Sequence, residues 1–335
     1  MAQTGLLRRL AIGGARPRRR AKRPVLDAYR GYGVPGGCVL RGRVLAALRR
    51  TTPDPDQSRW QNLREMASLF FTDEVADVRV TVPATGAEAV SDSEGYVTLE
   101  MPFAAPPGWH ELGMEIAGDP TTRTVCRVLI PSPDARIGVI SDIDDTVMLT
   151  GAYSLARNLW TTFTGSAITR KVFPDAVVLL DHLSAHGVNP VYYVSSSPWN
   201  LHAFLNRVFD RAGLVAGPVF LRDLGIGGPA GRTRRHGDHK GDAIDRIMDA
   251  NPALPFVLIG DTGQHDAEIY LEAAHRHGGR VRAVILREPR PEARHGPDEA
   301  SRVAMAALKR IGVTVIHAPD FAQVAGDLRR AGIVV

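Results

Sequence analysis

The second half of the chain alternates short apolar runs with stretches in which apolar residues recur at helical spacing. The runs predict strands at Ile137–Asp142, Pro190–Ser195, Pro218–Leu221, Phe256–Gly260, Val281–Leu286 and Val313–His317. The stretches predict helices at Ser154–Thr162, Asp175–His186, Trp199–Ala212, Asp242–Ala250, Ala267–His277, Glu299–Ile311 and Phe321–Ala331. Such alternation favours an α/β fold with a doubly wound parallel sheet and right-handed crossovers.

The first half has a different pattern, in which polar and apolar residues alternate along short segments. Strands are predicted at Gly37–Val44, Val78–Val82, Tyr96–Met101, Gly108–Leu112 and Thr124–Ile130. Short strands at this spacing favour a small antiparallel β-sandwich, which we assign to residues 31–132 as an accessory domain. The Pro131-Ser132-Pro133 segment marks the boundary to a second domain at 133–335. Residues 50–74 form a longer insertion with apolar residues at helical spacing.

The charge of the chain is concentrated at its beginning. The net charge is +5, but residues 1–30 contain nine Lys and Arg and one Asp, so the remainder is slightly acidic. An Arg-rich segment with few large apolar residues is predicted to be a disordered tail. Two interpretations stay open, a solvated arm without a partner and an arm that contacts an anionic membrane surface. Nothing in its pattern supports binding to nucleic acid, because basic and aromatic residues are not interleaved.

The composition is that of an ordinary globular protein, with 44% hydrophobic and 23% charged residues. No apolar run approaches the roughly 20 residues that a transmembrane helix needs, and the N-terminus lacks the pattern of a secretory signal. The two cysteines, Cys38 and Cys126, are too few for a disulfide framework, so we expect buried free thiols and a cytoplasmic protein.

An unusual concentration of acid follows the first predicted strand of the second domain. After the apolar run Ile137–Ile140, three carboxylates, those of Asp142, Asp144 and Asp145, fall within a stretch of four residues. Carboxylates crowded at the carboxyl end of a buried strand are costly unless a cation or a reaction needs them. A calcium loop is excluded, because its sixth position would be Val147 instead of Gly and its twelfth Tyr153 instead of Glu.

Three further polar groups follow in order and are expected to converge on this acid. They are Ser195-Ser196-Ser197-Pro198-Trp199 after an apolar strand, His239-Lys240 before a helix, and Gly260-Asp261 with Asp266 five residues later. Each alone has an ordinary structural explanation, such as a helix cap, a surface lysine or a turn. Together they indicate a catalytic site instead of four separate structural features. His236, His239 and His265 have no spacing that unites them in a zinc site.

The four motifs resemble those of the haloacid dehalogenase superfamily of phosphotransferases. More narrowly, the strings around Asp142–Thr146, Ser195–Trp199 and Ile259–Tyr270 resemble the actin-patch phosphatidate phosphatase family, whose fungal members are lipid phosphatases. The resemblance covers roughly residues 133–290 and implies a haloacid dehalogenase-like sheet. One departure is Ser196, where the fungal pattern has Asn, which would alter hydrogen bonding in the pocket.

The resemblance implies a Mg²⁺-dependent phosphatase with Asp142 as nucleophile and Asp144 as general acid and base. The metal ligands would be Asp142, Asp261, the main-chain carbonyl of Asp144, and Asp266 directly or through water. Mg²⁺ prefers hard oxygen ligands, which this set provides. A cation also offsets the repulsion between a carboxylate nucleophile and an anionic phosphate ester.

The remaining site residues follow from the same resemblance. Ser195 would bind a phosphoryl oxygen and Lys240 would balance the negative charge of the site. The expected substrate-binding residues are Thr146, Ser196, Arg234 and Arg235, the last two in a basic loop before Lys240.

The substrate is less well defined by the sequence. The segment Leu149–Lys171 is too short for a large cap, and an open site suits a bulky substrate such as a phosphatidate-like lipid. Its aromatic residues would meet acyl chains or pack on the body of the protein. A soluble phosphomonoester, a phosphoprotein and a non-catalytic binding module stay as alternatives.

Overall fold

The computed structural model describes residues 23–47, 74–149, 172–222, 236–288 and 297–334. Within these ranges the first half of the chain forms a seven-stranded sheet and the second half a six-stranded sheet flanked by helices. The last strand of the first sheet ends at Ile130 and the first strand of the second begins at Gly138, with Pro131-Ser132-Pro133 between them. The predicted 50–74 insertion, except Glu74, and the predicted helix at Ser154–Thr162 lie outside the described residues.

The first sheet is a single curved sheet, so the predicted β-sandwich is wrong. Its strands are β1 (Val25–Val34), β2 (Gly37–Leu45), β3 (Arg79–Val82), β4 (Ala87–Val90), β5 (Tyr96–Pro102), β6 (Gly108–Ile116) and β7 (Asp119–Ile130). They pair in the order β4-β3-β6-β7-β1-β2-β5, antiparallel except for the parallel β1–β7 pair. The edge strands β4 and β5 approach each other, which makes the sheet barrel-like.

The predicted tail extends too far into the chain. Residues 25–30, which the charge pattern assigned to the tail, belong to β1, and β1 pairs with β2 from Val25 opposite Leu45 onward. The charged residues Asp27 and Arg30 interrupt the apolar pattern, so the sequence did not predict this strand. In the structure its residues Leu26 and Tyr29 are buried. The rest of the tail, residues 1–22, lies outside the described residues.

The second sheet confirms the predicted doubly wound arrangement. Its strands are β8 (Gly138–Asp142), β9 (Val191–Pro198), β10 (Val219–Arg222), β11 (Phe256–Asp261), β12 (Val281–Arg287) and β13 (Thr314–Ala318). They are all parallel and lie in the order β10-β9-β8-β11-β12-β13. The chain therefore winds outward from β8 first in one direction and then in the other. Open sheets of this type bind ligands where that direction changes, beyond the ends of β8 and β11.

Helices cover both faces of the second sheet. They are α1 (Pro174–Ser184), α2 (His202–Ala212), α3 (His236–Ala250), α4 (Asp266–Arg276), α5 (Glu299–Arg310) and α6 (Val324–Arg330). Val139 of β8 packs in one apolar cluster with α1, α2 and α6. Its neighbour Ile140 points to the other face and packs with α3, α4 and α5. This two-sided burial explains the continuous apolar runs of the strands.

The two cysteines are buried free thiols in the first sheet, as predicted. Burial raises the pKa of each, Cys38 and Cys126, to about 11, so both are uncharged thiols near neutral pH. In the described ranges we find no helix long and apolar enough to cross a membrane.

The first sheet contacts the second through an aromatic cluster. The ring of Tyr29 in β1 stacks on Trp199, with centroids 4.4 Å apart and an interplanar angle of 13°. Trp199 belongs to a 3₁₀ turn that joins β9 to α2. The buried ring of His202, at the start of α2, contacts both aromatic rings.

His202 should make stability sensitive to acid. Burial, and then the charges of Arg30 and Arg41, lower the pKa of His202 to about 3. The unfolded chain therefore takes up the proton first, and the associated stability, present above pH 6.5, is lost as the pH falls toward 3. We expect the wild type to lose about 2 kcal/mol more than His202→Phe between pH 7 and pH 5 in urea unfolding. Equal losses in the two proteins would contradict the buried neutral histidine.

Candidate active site

Polar side chains gather at the carboxyl ends of the three central strands of the second sheet. Asp142 is the last residue of β8, Asp261 is the last of β11, and Ser195 lies near the end of β9. These strands are adjacent and parallel, so their carboxyl ends share one edge. The site therefore lies where the winding direction of the sheet changes.

The centre of the site is a buried group of three carboxylates and one ammonium. Lys240 Nζ lies 2.7 Å from Asp142 Oδ1 and 2.6 Å from Asp266 Oδ1. Asp261 completes the group, and its main-chain N–H donates to Asp266 Oδ2 at 3.1 Å. All four residues are at most 2% exposed. Charges this deeply buried are retained only where they are paired or bind an ion.

Helix starts supply the two members of this group that do not end a strand. Lys240 lies near the beginning of α3, and Asp266 is the first residue of α4. Gly260 allows α4 to approach β11, because a Cβ at this position would collide with the Asp266 carboxylate and lie 2.8 Å from the Tyr270 hydroxyl. That hydroxyl donates to the Ile259 carbonyl oxygen at 2.8 Å and fixes the contact.

Burial controls the protonation behaviour of the group. It raises the pKa of Asp142 and Asp261 well above the ordinary value, and neighbouring carboxylates add to the increase while Lys240 opposes it. Burial alone lowers the pKa of Lys240, but the surrounding carboxylates outweigh this effect and raise it. Lys240 is therefore a permanent cation, and one ammonium faces three carboxyl groups. A divalent cation would remove the remaining imbalance.

The oxygen atoms left without partners indicate where a cation fits. In the described part of the chain, Asp142 Oδ2 and Asp261 Oδ2 are buried and accept no hydrogen bond. Both oxygens of Asp266, by contrast, already contact Lys240 and the Asp261 N–H. Ligand atoms of Asp142, Asp261 and Asp266 lie within 4.8 Å of one another. Buried anionic oxygens of this kind match the preference of Mg²⁺. Asp142 and Asp261 thus suit direct coordination, and Asp266 suits a supporting role.

Asp144 forms a second part of the site, at its more open side. Its Oδ2 accepts hydrogen bonds from Ser195 Oγ at 2.6 Å and Ser197 Oγ at 2.9 Å. Its main-chain carbonyl accepts from Gln264 Nε2 at 2.8 Å. Ser195 Oγ also accepts from the Ser197 N–H at 2.9 Å. The loop after β8 is thereby tied to the end of β9 and to the loop after β11.

The structure brings together most of the predicted residues and adds two. Asp142, Asp144, Ser195, Lys240, Asp261 and Asp266 all converge as predicted. Ser197 was missed, although its position two residues after Ser195 in an extended strand places both on one face. Gln264 was also missed, although it lies within the Ile259–Tyr270 string that carries the family resemblance.

The other predicted residues have less defined positions. The structure records no contact of the Ser196 side chain with Asp144. Thr146 is fully buried, and its hydroxyl has no hydrogen-bond partner among the described residues. Arg234 and Arg235 lie outside the described residues. Asp145 adopts a left-handed conformation with φ 57°, and its N–H donates to the Met148 carbonyl, so this residue forms part of the turn after β8.

Among the described residues, His239 and His265 do not belong to one group of possible metal ligands. His265 groups instead with Glu268 and Asp298 on the surface. Both carboxylates have structural partners, since Asp298 caps α5 through the Ser301 N–H and Glu268 accepts from the Ser301 hydroxyl. This group is separate from the buried carboxylates.

Comparison with known proteins finds a family profile and two relatives, and the profile covers the segment that contains the carboxylate site. Residues 137–288 match the family profile described as "Phosphatidate phosphatase APP1, catalytic domain". The chain is 30% identical over 160 residues to Phosphatidate phosphatase APP1 of Saccharomyces cerevisiae, covering 45% of this chain and 26% of that protein. It is also 30% identical over 161 residues to an uncharacterized protein of Schizosaccharomyces pombe, covering 45% and 25%.

The chain therefore spans about a quarter of the length of these curated relatives. The matched segment contains Asp142, Asp144, Ser195, Lys240, Asp261 and Asp266. The family resemblance predicted from the four sequence motifs is confirmed over this segment.

Proposed function

We propose that this chain is a Mg²⁺-dependent phosphatase, on the premise that residues 137–288 form a catalytic domain of the phosphatidate phosphatase APP1 family. The observation that carries the proposal is the buried group of Asp142, Asp261, Asp266 and Lys240 at the switch point of a parallel sheet. A structural role alone does not explain three buried carboxyl groups facing one ammonium. The parallel sheet and its strand-end carboxylates also support a haloacid dehalogenase-like fold.

Asp142 is the proposed nucleophile. Its carboxylate attacks phosphorus, the bond from phosphorus to the ester oxygen breaks, and an aspartyl-phosphate forms on Asp142. Water then attacks the phosphorus of this intermediate, so that inorganic phosphate leaves and the carboxylate is restored. Lys240 fixes the Asp142 carboxylate at 2.7 Å and neutralises part of the charge that accumulates. Bound Mg²⁺ would neutralise phosphoryl oxygens and reduce the repulsion between the two anionic reactants.

Asp144 is the proposed general acid and base. It gives a proton to the leaving ester oxygen and later removes one from the attacking water. The hydroxyls of Ser195 and Ser197 hold its Oδ2, which leaves its second oxygen for proton transfer. When a phosphate group enters, we propose that Ser195 exchanges this partner for a phosphoryl oxygen. Asp266 serves as the positioning group for Lys240 and for the Asp261 main chain.

We propose phosphatidate-like lipid phosphates as substrates, following the name of the yeast relative. A soluble phosphomonoester or a phosphoprotein would use the same chemistry without the acyl chains. We also propose that the basic residues before β1 favour anionic lipid surfaces through long-range attraction. A non-catalytic role is disfavoured, because all six residues assigned to the chemistry are intact.

The decisive experiment compares phosphate release from phosphatidate in mixed micelles with release from glycerol 3-phosphate, which has the same headgroup without acyl chains. We expect release from phosphatidate with Mg²⁺ and none with a chelator. Preference for the soluble ester would support the phosphatase activity but refute the lipid substrate. No release from either substrate would refute the phosphatase activity itself.

A variant lacking residues 1–22 tests the membrane contact in the same assay without disturbing β1. We expect it to lose activity on anionic micelles at low salt, with the difference vanishing at high salt. Equal activity at low salt would remove this role of the tail.

A further inference from the structure

The 3₁₀ turn that follows the Ser195–Pro198 segment is held from outside by the first sheet. Trp199, the first residue of this turn, is stacked at 4.4 Å on Tyr29 of β1. The rings are nearly parallel, and Tyr29 is 4% exposed. An extensive, nearly parallel contact between two large rings restricts where Trp199 can lie.

A buried arginine of the first sheet also contacts this aromatic cluster. The Arg41 guanidinium carbon lies 4.1 Å from the centroid of the Phe220 ring and 5.3 Å from that of Trp199. The guanidinium donates to the Val219 carbonyl oxygen of β10 at 3.1 Å and to the Arg30 carbonyl oxygen at 3.0 Å. Burial lowers the pKa of Arg41 to about 10, so the group is still a cation near neutral pH. Arg41 thereby joins β2 of the first sheet to the strand beside β9.

A second arginine of the first sheet reaches the next residue of the turn. Arg43 donates to Asn200 Oδ1 at 3.4 Å and to the Glu94 carbonyl oxygen at 2.8 Å. Arg43 also forms an ion pair with Glu74 at 3.1 Å, and the Arg43 side chain is only 7% exposed. The fixed guanidinium therefore presents one donor to Asn200 while the others anchor it within the first sheet.

The backbone between this turn and the two serines, Ser195 and Ser197, is short and has little conformational freedom. Ser197 is two residues before Trp199, and the intervening Pro198 has φ −72° and ψ 152° in an extended conformation. Proline fixes φ, and Ser195 and Ser197 belong to the same strand as Pro198. A displacement of Trp199 would thus be transmitted to the hydroxyls that hold Asp144. A shift of about 1 Å in a catalytic group can reduce a rate on the order of 100-fold.

We propose that Tyr29 is a positioning residue of the active site, which makes the first sheet part of the catalytic machinery. Through Trp199 it sets the position of Ser195 and Ser197 relative to Asp144, with Arg41 and Arg43 supporting the same turn. The proposal rests on the phosphatase function proposed above. It assigns to the first domain a role in the reaction in place of a purely structural or partner-binding one.

The test compares three full-length variants. Tyr29→Leu keeps apolar volume but loses the stacked ring, Tyr29→Phe keeps the ring, and Met114→Ala destabilises the core of the same sheet away from Trp199. We expect Tyr29→Leu to lower kcat about ten-fold with KM changed less than about two-fold. Tyr29→Phe should restore the wild-type kcat. Met114→Ala should lower the unfolding temperature and leave kcat unchanged, because it is remote from the turn.

Hydrogen exchange of the 191–205 segment supplies a readout that does not depend on activity. Tyr29→Leu should accelerate exchange there and Met114→Ala should not. A wild-type kcat for folded Tyr29→Leu, or equal loss of kcat in Tyr29→Leu and Met114→Ala, would overturn the positioning role. An inactive wild type would instead overturn the proposed function, and unchanged exchange in Tyr29→Leu would still refute the positioning.

Discussion

Asp142→Asn is expected to reduce phosphate release by a factor on the order of 10⁴ or more, because an amide cannot act as the nucleophile. The fold should survive, since asparagine has nearly the same shape and the carboxylate it replaces is costly to bury. The variant should still bind substrate, because the serines and Lys240 are unchanged. Steady-state rates with Mg²⁺ and urea unfolding curves measure the two effects separately.

The matched control is Asp145→Asn, three residues later in the turn that follows β8. Asp145 has positive φ, a conformation that asparagine also tolerates, so the turn should form normally. We expect its rate to stay within about three-fold of the wild type, because the Asp145 side chain has no part in the proposed chemistry. Phosphate release by Asp142→Asn at the wild-type rate would refute the nucleophile, and an equal large loss in both variants would point to the loop instead of the carboxylate.

Lys240→Met should have the second largest effect, because it acts on both chemistry and stability. The variant removes the ammonium that contacts Asp142 and Asp266, so the buried carboxylates lose their cation. We expect a rate lower by about 10²–10³, the usual effect of removing one electrostatic contact from an active site. Breaking a buried ion pair from one side should also cost about 3–5 kcal/mol of unfolding free energy.

Lys309→Met is the control for this substitution, because Lys309 is an exposed residue near the end of α5. It should change neither the rate nor the unfolding free energy beyond about 0.5 kcal/mol. Added Mg²⁺ should raise the unfolding midpoint of Lys240→Met more than that of the wild type, since the remaining carboxylates have lost their internal cation. Full activity of Lys240→Met would refute the proposed role of the Lys240 ammonium in neutralising negative charge during the reaction.

The second sheet was predictable because its strands are buried on both faces. Continuous apolar runs such as Ile137–Ile140 are recognisable without tertiary information, and the six predicted strands correspond to β8–β13. The first sheet was harder to predict. β1 contains Asp27 and Arg30, and the short edge strand Ala87–Val90 alternates between exposed and partly buried positions. β1 pairs not only with β2, which follows it in the chain, but also with the remote β7, at Gly31 opposite Val128. This remote pair joins the strands into one sheet, so local patterns cannot choose between one curved sheet and a sandwich.

The residues that carry the proposed chemistry were determined by the sequence itself. Asp142 and Asp261 end apolar strands, Ser195 lies within one, and Lys240 and Asp266 lie at helix starts, so the topology of a parallel sheet brings them to one edge. Only the tertiary structure shows which hydrogen bonds, ion pairs and ring contacts these residues form. Both carboxylate oxygens of Asp266 contact protein groups, Lys240 and the Asp261 N–H. Ser197 and Gln264 donate hydrogen bonds to Asp144. The ring of Tyr29 stacks on that of Trp199. These contacts depend on distances between remote segments, which hydrophobic periodicity does not encode.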